Sequence, residues 1–402
     1  MRLPVHRWFR FSAGFSAEWA KAVIREAADD GAKRVVDPFA GSGTTLLAAE
    51  DVGVESAGVE AHSFVFRVAQ AKLLRRSSVD EYLKLAKVVR TRAAKAVVDA
   101  PEYPELIGKC YTPEALAKLH ALRLALEKSA SDSAAWQLVW LALAGILRIT
   151  SCVGTAQWQY VLPKKEKKKT LDPFDAFDTL SRMIARDMRL TQERPLGPAA
   201  RIISGDARTC DGIPDGFADL VVTSPPYPNN YDYADATRLE MCFFGEVSGW
   251  GDLQAKVRQY LVRSCSQHVP PSAIDLETQL ASSELAPIRP AISEVCQRLA
   301  EIRLTKGGKK TYHLMVACYF RDLAQVWQAL RRVCAPGARV CFVIGDSAPY
   351  GVYVPVIEWL GELALAAGFH DFRFEKTRDR NVKWKNRKHR VPLCEGRLWV
   401  EG

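Results

Sequence analysis

The 402-residue sequence predicts an α/β protein of Rossmann-like kind, a mainly parallel twisted sheet of about seven strands with helices on both faces and helical insertions. Three observations predict it. Short apolar runs ending in polar residues alternate with stretches of helical periodicity, as buried parallel strands joined by crossover helices do. One such run, Arg34-Val-Val-Asp37, passes directly into the glycine turn Pro38-Phe-Ala-Gly-Ser-Gly43 and then into a helical segment. Another, Ala218-Asp-Leu-Val-Val-Thr-Ser224, ends in Pro225-Pro-Tyr227. Ligands of open α/β sheets bind beyond the carboxyl ends of the strands, which places both segments on one edge.

The elements follow in order. Ser16 to Asp29 has helical periodicity, with Trp19, Val23 and Ile24 on one side. Arg34 to Asp37 is a strand, Thr44 to Val52 a helix, and Glu55 to Glu60 the next strand. Strand, glycine turn, helix and strand make one βαβ unit. From Ser77 to Pro198 the pattern turns to long helices rich in Ala, Leu and Lys. Within it Thr112-Pro113 marks a helix start, a capping Thr followed by Pro at the first helical position. The apolar stretch Trp136 to Ile149 fits a buried helix and is too short for a membrane span. Lys164-Lys-Glu-Lys-Lys-Lys169 reads as an exposed loop. Strands resume at Arg201–Asp206 and Ala218–Ser224. A helical or irregular stretch from Gly245 to Lys310, scattered with Pro, Ser and Gly, precedes an amphipathic helix from Phe320 to Cys334. A strand from Arg339 to Asp346, a helix from Val354 to Ala367, and strands at Phe372–Lys376 and Gly396–Val400 complete the pattern. The expected division is a catalytic domain made of 1–76, 200–244 and 311–402, with insertions at 77–199 and 245–310 available for target recognition.

Composition narrows the function classes. Lys plus Arg number 56 against 46 Asp plus Glu, a net charge of +10 that favours a polyanionic partner. The ten cysteines include no Cys-x-x-Cys pair and no zinc-type spacing, so no metal site is expected, and they fit reduced thiols in a cytoplasmic protein. The N-terminus lacks the apolar core of a signal peptide. The glycine turn is not Gly-x-Gly-x-x-Gly, and no Gly-Lys-Ser/Thr follows it, so neither a dehydrogenase fingerprint nor a phosphate loop is present.

Candidate residues cluster at the two strand ends. The turn Phe39, Gly41, Ser42, Gly43 and Thr44 offers close backbone approach and the free N–H groups of a helix start. Asp37 can face a cationic amino group, Glu60 can grip two ribose hydroxyls, and Asp206 can bond an adenine amino group or serve as a turn aspartate. At the second end, Ser224 Oγ and the Pro225 carbonyl can accept both hydrogens of an exocyclic amino group. Pro226 with Pro225 fixes their direction, and Tyr227 can stack on a base that has left its duplex.

Asp37-Pro-Phe-Ala-Gly-Ser-Gly-Thr-Thr45 resembles the S-adenosylmethionine-binding motif of DNA amino-methyltransferases, and Thr223-Ser-Pro-Pro-Tyr227 resembles their catalytic tetrapeptide. His6-Arg-Trp-Phe-Arg-Phe-Ser-Ala-Gly-Phe-Ser16 is similar to the segment that completes the cofactor pocket in that family, which implies that Phe15 and Ser16 border the methionine end. Pro228 to Glu240 resembles the continuation of the tetrapeptide, making Tyr231, Asp232 and Tyr233 candidates for the base pocket; Asp346 is a further one. Ser in place of the more usual Asp or Asn implies N4-cytosine methylation of duplex DNA by base flipping. The alternatives are N6-adenine methylation on the same scaffold, an RNA base methyltransferase, and a non-catalytic nucleic-acid-binding module. C5 methylation is disfavoured, since no Pro-Cys pair is present. The resemblance also implies a restriction-modification setting with a restriction endonuclease as functional partner. For DNA phosphates the candidates are Lys164 and Lys165, with Gln157, Trp158 and Gln159 before them, and Arg380, Lys383, Lys385 and Arg387 in the basic stretch 378–390 around Trp384.

Overall fold

The computed structural model describes residues 3–11, 14–97, 102–156, 160–229, 231–270, 274–307, 310–380 and 390–402. In chain order the strands are β1 (Arg34–Asp37), β2 (Glu55–Glu60), β3 (Val153–Thr155), β4 (Val161–Glu166), β5 (Arg201–Ser204), β6 (Ala218–Thr223), β7 (Cys334–Gly345), β8 (Asp371–Asp379) and β9 (Cys394–Glu401). Seven form one sheet in the order β5-β2-β1-β6-β7-β9-β8, while β3 and β4 make a separate hairpin. Every pairing from β5 across to β7 is parallel; β9 runs antiparallel between β7 and β8. Strand order reverses at β1, where β2 and then β5 lie on one side and β6 on the other. This switch opens a crevice at the carboxyl ends of β1 and β6.

The helices are α1 (Ala17–Asp29), α2 (Thr44–Val52), α3 (Ser63–Leu73), α4 (Val79–Lys95), α5 (Glu105–Cys110), α6 (Pro113–Glu127), α7 (Ala134–Thr150), α8 (Pro173–Gln192), α9 (Tyr233–Ala236), α10 (Arg238–Phe244), α11 (Asp252–Lys256), α12 (Leu276–Leu280), α13 (Arg289–Leu304), α14 (Tyr312–Val333) and α15 (Val356–Ala366). Alternation along the strands decides which helices cover which face. Val35, Leu220 and Val222 point to a core that includes Ala20 and Ile24 of α1 and Ala48 and Ala49 of α2. Val36, Val221, Val340 and Phe342 point the other way, into a core with α13, α14 and α15.

The helical stretch 77–199 does not bury its apolar surface by itself. Tyr82, Leu119, Trp140 and Phe177 share one core with Trp8, Phe9 and Phe11 of the N-terminal segment and Phe64 of α3. Asp187 of α8, fully buried, accepts from the Val5 N–H, the Trp8 indole N–H and the Arg7 guanidinium, so it holds the N-terminal segment against the insertion. At Thr112 the expected cap is present: its hydroxyl accepts from Ala115 N at 3.3 Å.

Three boundaries differ from expectation. Lys164 and Lys165 lie in β4 rather than in a loop, and Lys167 donates to the carbonyls of Arg148 and Ser151 at the end of α7. A lysine run thus supplies a solvated strand edge and a helix C-terminal cation. Helix α14 begins at Tyr312, eight residues early, because Leu314 to Phe320 are buried on all sides and carry no amphipathic period. Strand β7 begins at Cys334 and accommodates Pro336-Gly337 through a register shift against β6, with Gly337 at φ +76°. No helix among the described residues is long and apolar enough to cross a membrane.

Candidate active site

The crevice at the β1–β6 switch is an open pocket, about 850 Å³ when the solvent-filled space at its mouth is included. It collects residues from six separated stretches of chain. Phe11, Gly14 and Phe15 come from the N-terminal segment, Phe39, Gly41, Ser42 and Thr44 from the turn after β1, and Glu60 and His62 from the end of β2. Asp206 follows β5, Ser224, Pro226 and Tyr233 follow β6, and Tyr260, Leu261 and Val262 come from the stretch before α12.

The turn after β1 works because of its glycines. Gly41 has φ +53° and Gly43 φ +87°, the latter as the residue that caps α2. A Cβ at Gly41 would stand 3.2 Å from the Phe11 ring, so a side chain there would press on a pocket wall. Glu60 holds the turn in place. One carboxylate oxygen accepts from Gly41 N at 2.7 Å and the other from His62 N at 2.8 Å. Burial pushes this carboxyl up to about 7, against the backbone N–H groups of His62, Gly41 and Ala61 that favour its ionised form.

Asp37 is 1% exposed and does not line the pocket. Its Oδ1 accepts from Thr223 Oγ1 at 2.5 Å and from Phe39 N at 3.0 Å. Burial pushes its carboxyl up to about 6, against these donors. Thr45 Oγ1 in turn donates to Val222 O at 3.0 Å. The first strand end is thereby tied to the second, underneath the pocket. Asp206 lines the pocket, and its carboxylate is bonded to the Arg208 guanidinium at 2.6 Å and to Arg208 N at 2.8 Å.

At the second strand end Ser224 Oγ donates to Val343 O of β7 at 3.0 Å. The hydroxyl hydrogen is therefore committed, and the oxygen is left as an acceptor. Ser347 Oγ donates to Pro228 O at 3.0 Å, so the segment 224–228 is fastened to the end of β7 at two points. Tyr227 is partly buried, outside the pocket lining, with the Arg380 guanidinium 5.0 Å from its ring centroid. Burial raises its phenol, Glu395 adds to the shift, and the Arg380 guanidinium opposes it.

The loop beyond is held by a buried cluster. Asp232 accepts from Arg258 Nη2 at 2.6 Å, and its other oxygen lies 3.4 Å from His268 Nε2. Asp232 N donates to the Tyr160 hydroxyl at 2.7 Å, and Asn229 N to Ser264 O at 2.7 Å. Burial would lower the His268 imidazole, but Asp232 and Cys265 overcome it and raise it to about 10. Asp232 is held down at about 2 by His268 and Arg258 in spite of its burial. The ligand atoms of Asp232, Cys265 and His268 fall within 4.8 Å of one another, but Arg258 already occupies the carboxylate. The cluster fastens the stretch carrying Tyr260, Leu261 and Val262 to the loop after Tyr227.

Of the residues expected at the site, Phe15, Phe39, Gly41, Ser42, Thr44, Glu60, Asp206, Ser224 and Pro226 line one pocket. Gly43 shapes it from behind, and Pro225 and Tyr227 adjoin it in the chain. Ser16 does not reach it; its hydroxyl accepts from Trp19 N at 3.3 Å and caps α1. Lys164 and Lys165 are exposed on the hairpin. Lys383, Lys385, Arg387 and Trp384, like Gln157, Trp158 and Gln159, lie outside the described residues. Phe11 and the Tyr260–Val262 stretch escaped sequence reading; an apolar triplet in an irregular segment carries no periodic signal.

Residues 5–71 match the family model of the N6/N4 DNA methylases. The chain is also similar to the type II methyltransferase M.BsoBI of Geobacillus stearothermophilus, 24% identical across 94% of this chain and 81% of the relative. The type II methyltransferase M.AvaI of Anabaena variabilis is 24% identical across 91% of this chain and 79% of its own length.

Proposed function

We propose that this chain, a DNA methyltransferase of the N4/N6 family, methylates the exocyclic N4 of cytosine in a specific duplex site by base flipping. Bound S-adenosylmethionine supplies an electrophilic methyl group on a sulfonium sulfur. The pocket fits that group on its own chemistry. Glu60 presents a carboxylate at the pocket wall for vicinal hydroxyls, Phe11, Phe15 and Phe39 give flat apolar walls, and Gly41 leaves room for close approach. Asp37 acts from below the pocket floor, as a buried negative centre that favours a cationic end above it.

The observation that carries the reading is the committed Ser224 hydroxyl. With its hydrogen on Val343 O, the Ser224 oxygen and the Pro225 carbonyl act as a pair of acceptors for one amino group. Accepting both hydrogens draws the nitrogen lone pair out of conjugation with the ring and points it along a fixed direction. The two prolines hold that direction, and Tyr227 replaces the stacking that the base loses on leaving the duplex. A neutral serine oxygen suits the amino group of cytosine. No cysteine lines the pocket among the described residues, consistent with attack by the amino nitrogen itself. Lys164, Lys165, Lys383, Lys385 and Arg387 are the residues this reading assigns to DNA phosphates. The similarity to type II methyltransferases supports a cognate restriction endonuclease as functional partner.

Transfer of tritiated methyl to mixed-sequence duplex DNA tests the assignment. Ser224→Ala is expected to slow transfer about tenfold to a hundredfold, the cost of one lost hydrogen bond at the reacting nitrogen. Unchanged transfer by that variant would overturn the role given to Ser224.

A further inference from the structure

The expected stacking face of Tyr227 already carries a flat group. The Arg380 guanidinium carbon lies 5.0 Å from the Tyr227 ring centroid, and Arg380 Nη1 donates to the Asp346 main-chain oxygen at 2.5 Å. Arg380 Nε stands 3.8 Å from Glu395, and its side chain is only 13% exposed. The space for it is built into the backbone. A Cβ at Gly345 would meet the Arg380 side chain at 2.9 Å. The two walls, the Tyr227 segment and the end of β7, are joined by the Ser224–Val343 and Ser347–Pro228 bonds. A slot with fixed walls next to the amino acceptors is therefore filled by a planar group that bears N–H donors.

We propose that Arg380 stands in for the target base on the Tyr227 face until the base enters. A guanidinium and an amino-bearing base share the features the slot selects, a flat delocalised face and N–H donors at its edge. Base entry then requires Arg380 to give up the Tyr227 face. The free enzyme binds DNA with its base-competent form only partly populated, which scales productive affinity down to the fraction that is open. Arg380 is thus a positioning residue that opposes the capture of bases whose extrusion is not otherwise favoured. This inference rests on the methyltransferase reading above, and it gives Arg380 a role distinct from phosphate contact.

The test compares kcat/KM for methylation of plasmid DNA by the wild-type chain, Arg380→Ala, Arg380→Lys, Tyr227→Ala and the Tyr227→Ala/Arg380→Ala double variant. Removing a cation–π contact of this class should raise kcat/KM by about 2- to 30-fold in Arg380→Ala. Arg380→Lys keeps the charge but loses the flat face, so part of the gain should persist. The gain should vanish when Tyr227 is already alanine, a coupling that a merely structural arginine would not show. A fall in kcat/KM with the salt dependence reduced by about one charge would mean a phosphate contact and overturn the inference. An unchanged rate, or a gain independent of Tyr227, would overturn it as well. A wild-type chain that transfers no methyl group at all fails the underlying reading, and the inference falls with it. Transfer by the wild type without the expected gain fails the inference alone.

Discussion

Thr223 Oγ1 donates to Asp37 Oδ1 at 2.5 Å, joining two residues 186 positions apart at the ends of neighbouring parallel strands. Both are buried, and each directly adjoins one of the two motif segments. The bond makes the floor of the pocket and the mounting of Ser224 parts of one unit. Thr223→Val removes the donor without changing shape and leaves the buried carboxyl short of a partner. The expected loss is about 1–3 kcal/mol of unfolding free energy, read from the shift of a denaturant midpoint. No shift would mean that Asp37 is adequately served by Phe39 N.

Glu60 predicts a pH dependence of cofactor binding. Burial holds the empty site's carboxyl up at about 7. Vicinal hydroxyls donate to the ionised form, and a cationic ligand favours it further, so binding lowers this pKa. Affinity is then complete above about pH 7 and is lost as pH falls through 7, by up to about tenfold per unit. Calorimetric titration with S-adenosylmethionine from pH 5.5 to 8.5 checks the slope. Glu60→Gln should bind more weakly at pH 8 and lose this component. A wild-type profile that the variant reproduces would remove Glu60 from the binding role.

The Asp232–His268 pair predicts a pH dependence of stability. His268 is raised to about 10 in the folded chain from an ordinary value of 6.5. Its stabilising contribution is therefore fully present below pH 6.5 and is lost as pH rises through about 10. Lys72, whose Nζ lies 3.5 Å from the Phe9 carbonyl and which burial lowers to about 7, has the opposite slope over the same range. The difference between wild type and His268→Gln isolates the histidine. The gap in thermal midpoint should be widest near pH 6 and close toward pH 10; a constant gap would contradict the pairing.

Legibility in the sequence followed locality. The βαβ unit, the turn after β1 and the Ser-Pro-Pro-Tyr segment are set by neighbours in the chain, by glycines that accept positive φ and prolines that fix direction, and they were visible. Glu60 and Asp206 were visible for the same reason, as polar ends of apolar runs. Tyr260, Leu261 and Val262 were not, because they reach the pocket through a pairing of Arg258 and His268 with Asp232 that no local pattern encodes. Asp37 was legible as important but not in its place, since its contact with Thr223 depends on β1 lying beside β6. Ser16 shows the reverse case: a serine before a helical pattern caps the helix, and it does so here. The long apolar start of α14 concealed a helix, since burial on every side erases the period that would reveal it.

The central claim is that Ser224 and Pro225 present the amino group of a flipped cytosine for methylation. The most direct measurement is methylation of mixed-sequence duplex DNA by the purified chain with S-adenosylmethionine, followed by digestion and identification of the modified nucleoside by mass. The account predicts N4-methyldeoxycytidine, formed about tenfold to a hundredfold more slowly in the Ser224→Ala reaction. N6-methyldeoxyadenosine in its place would contradict the base assignment, and no modified nucleoside from DNA would contradict the function.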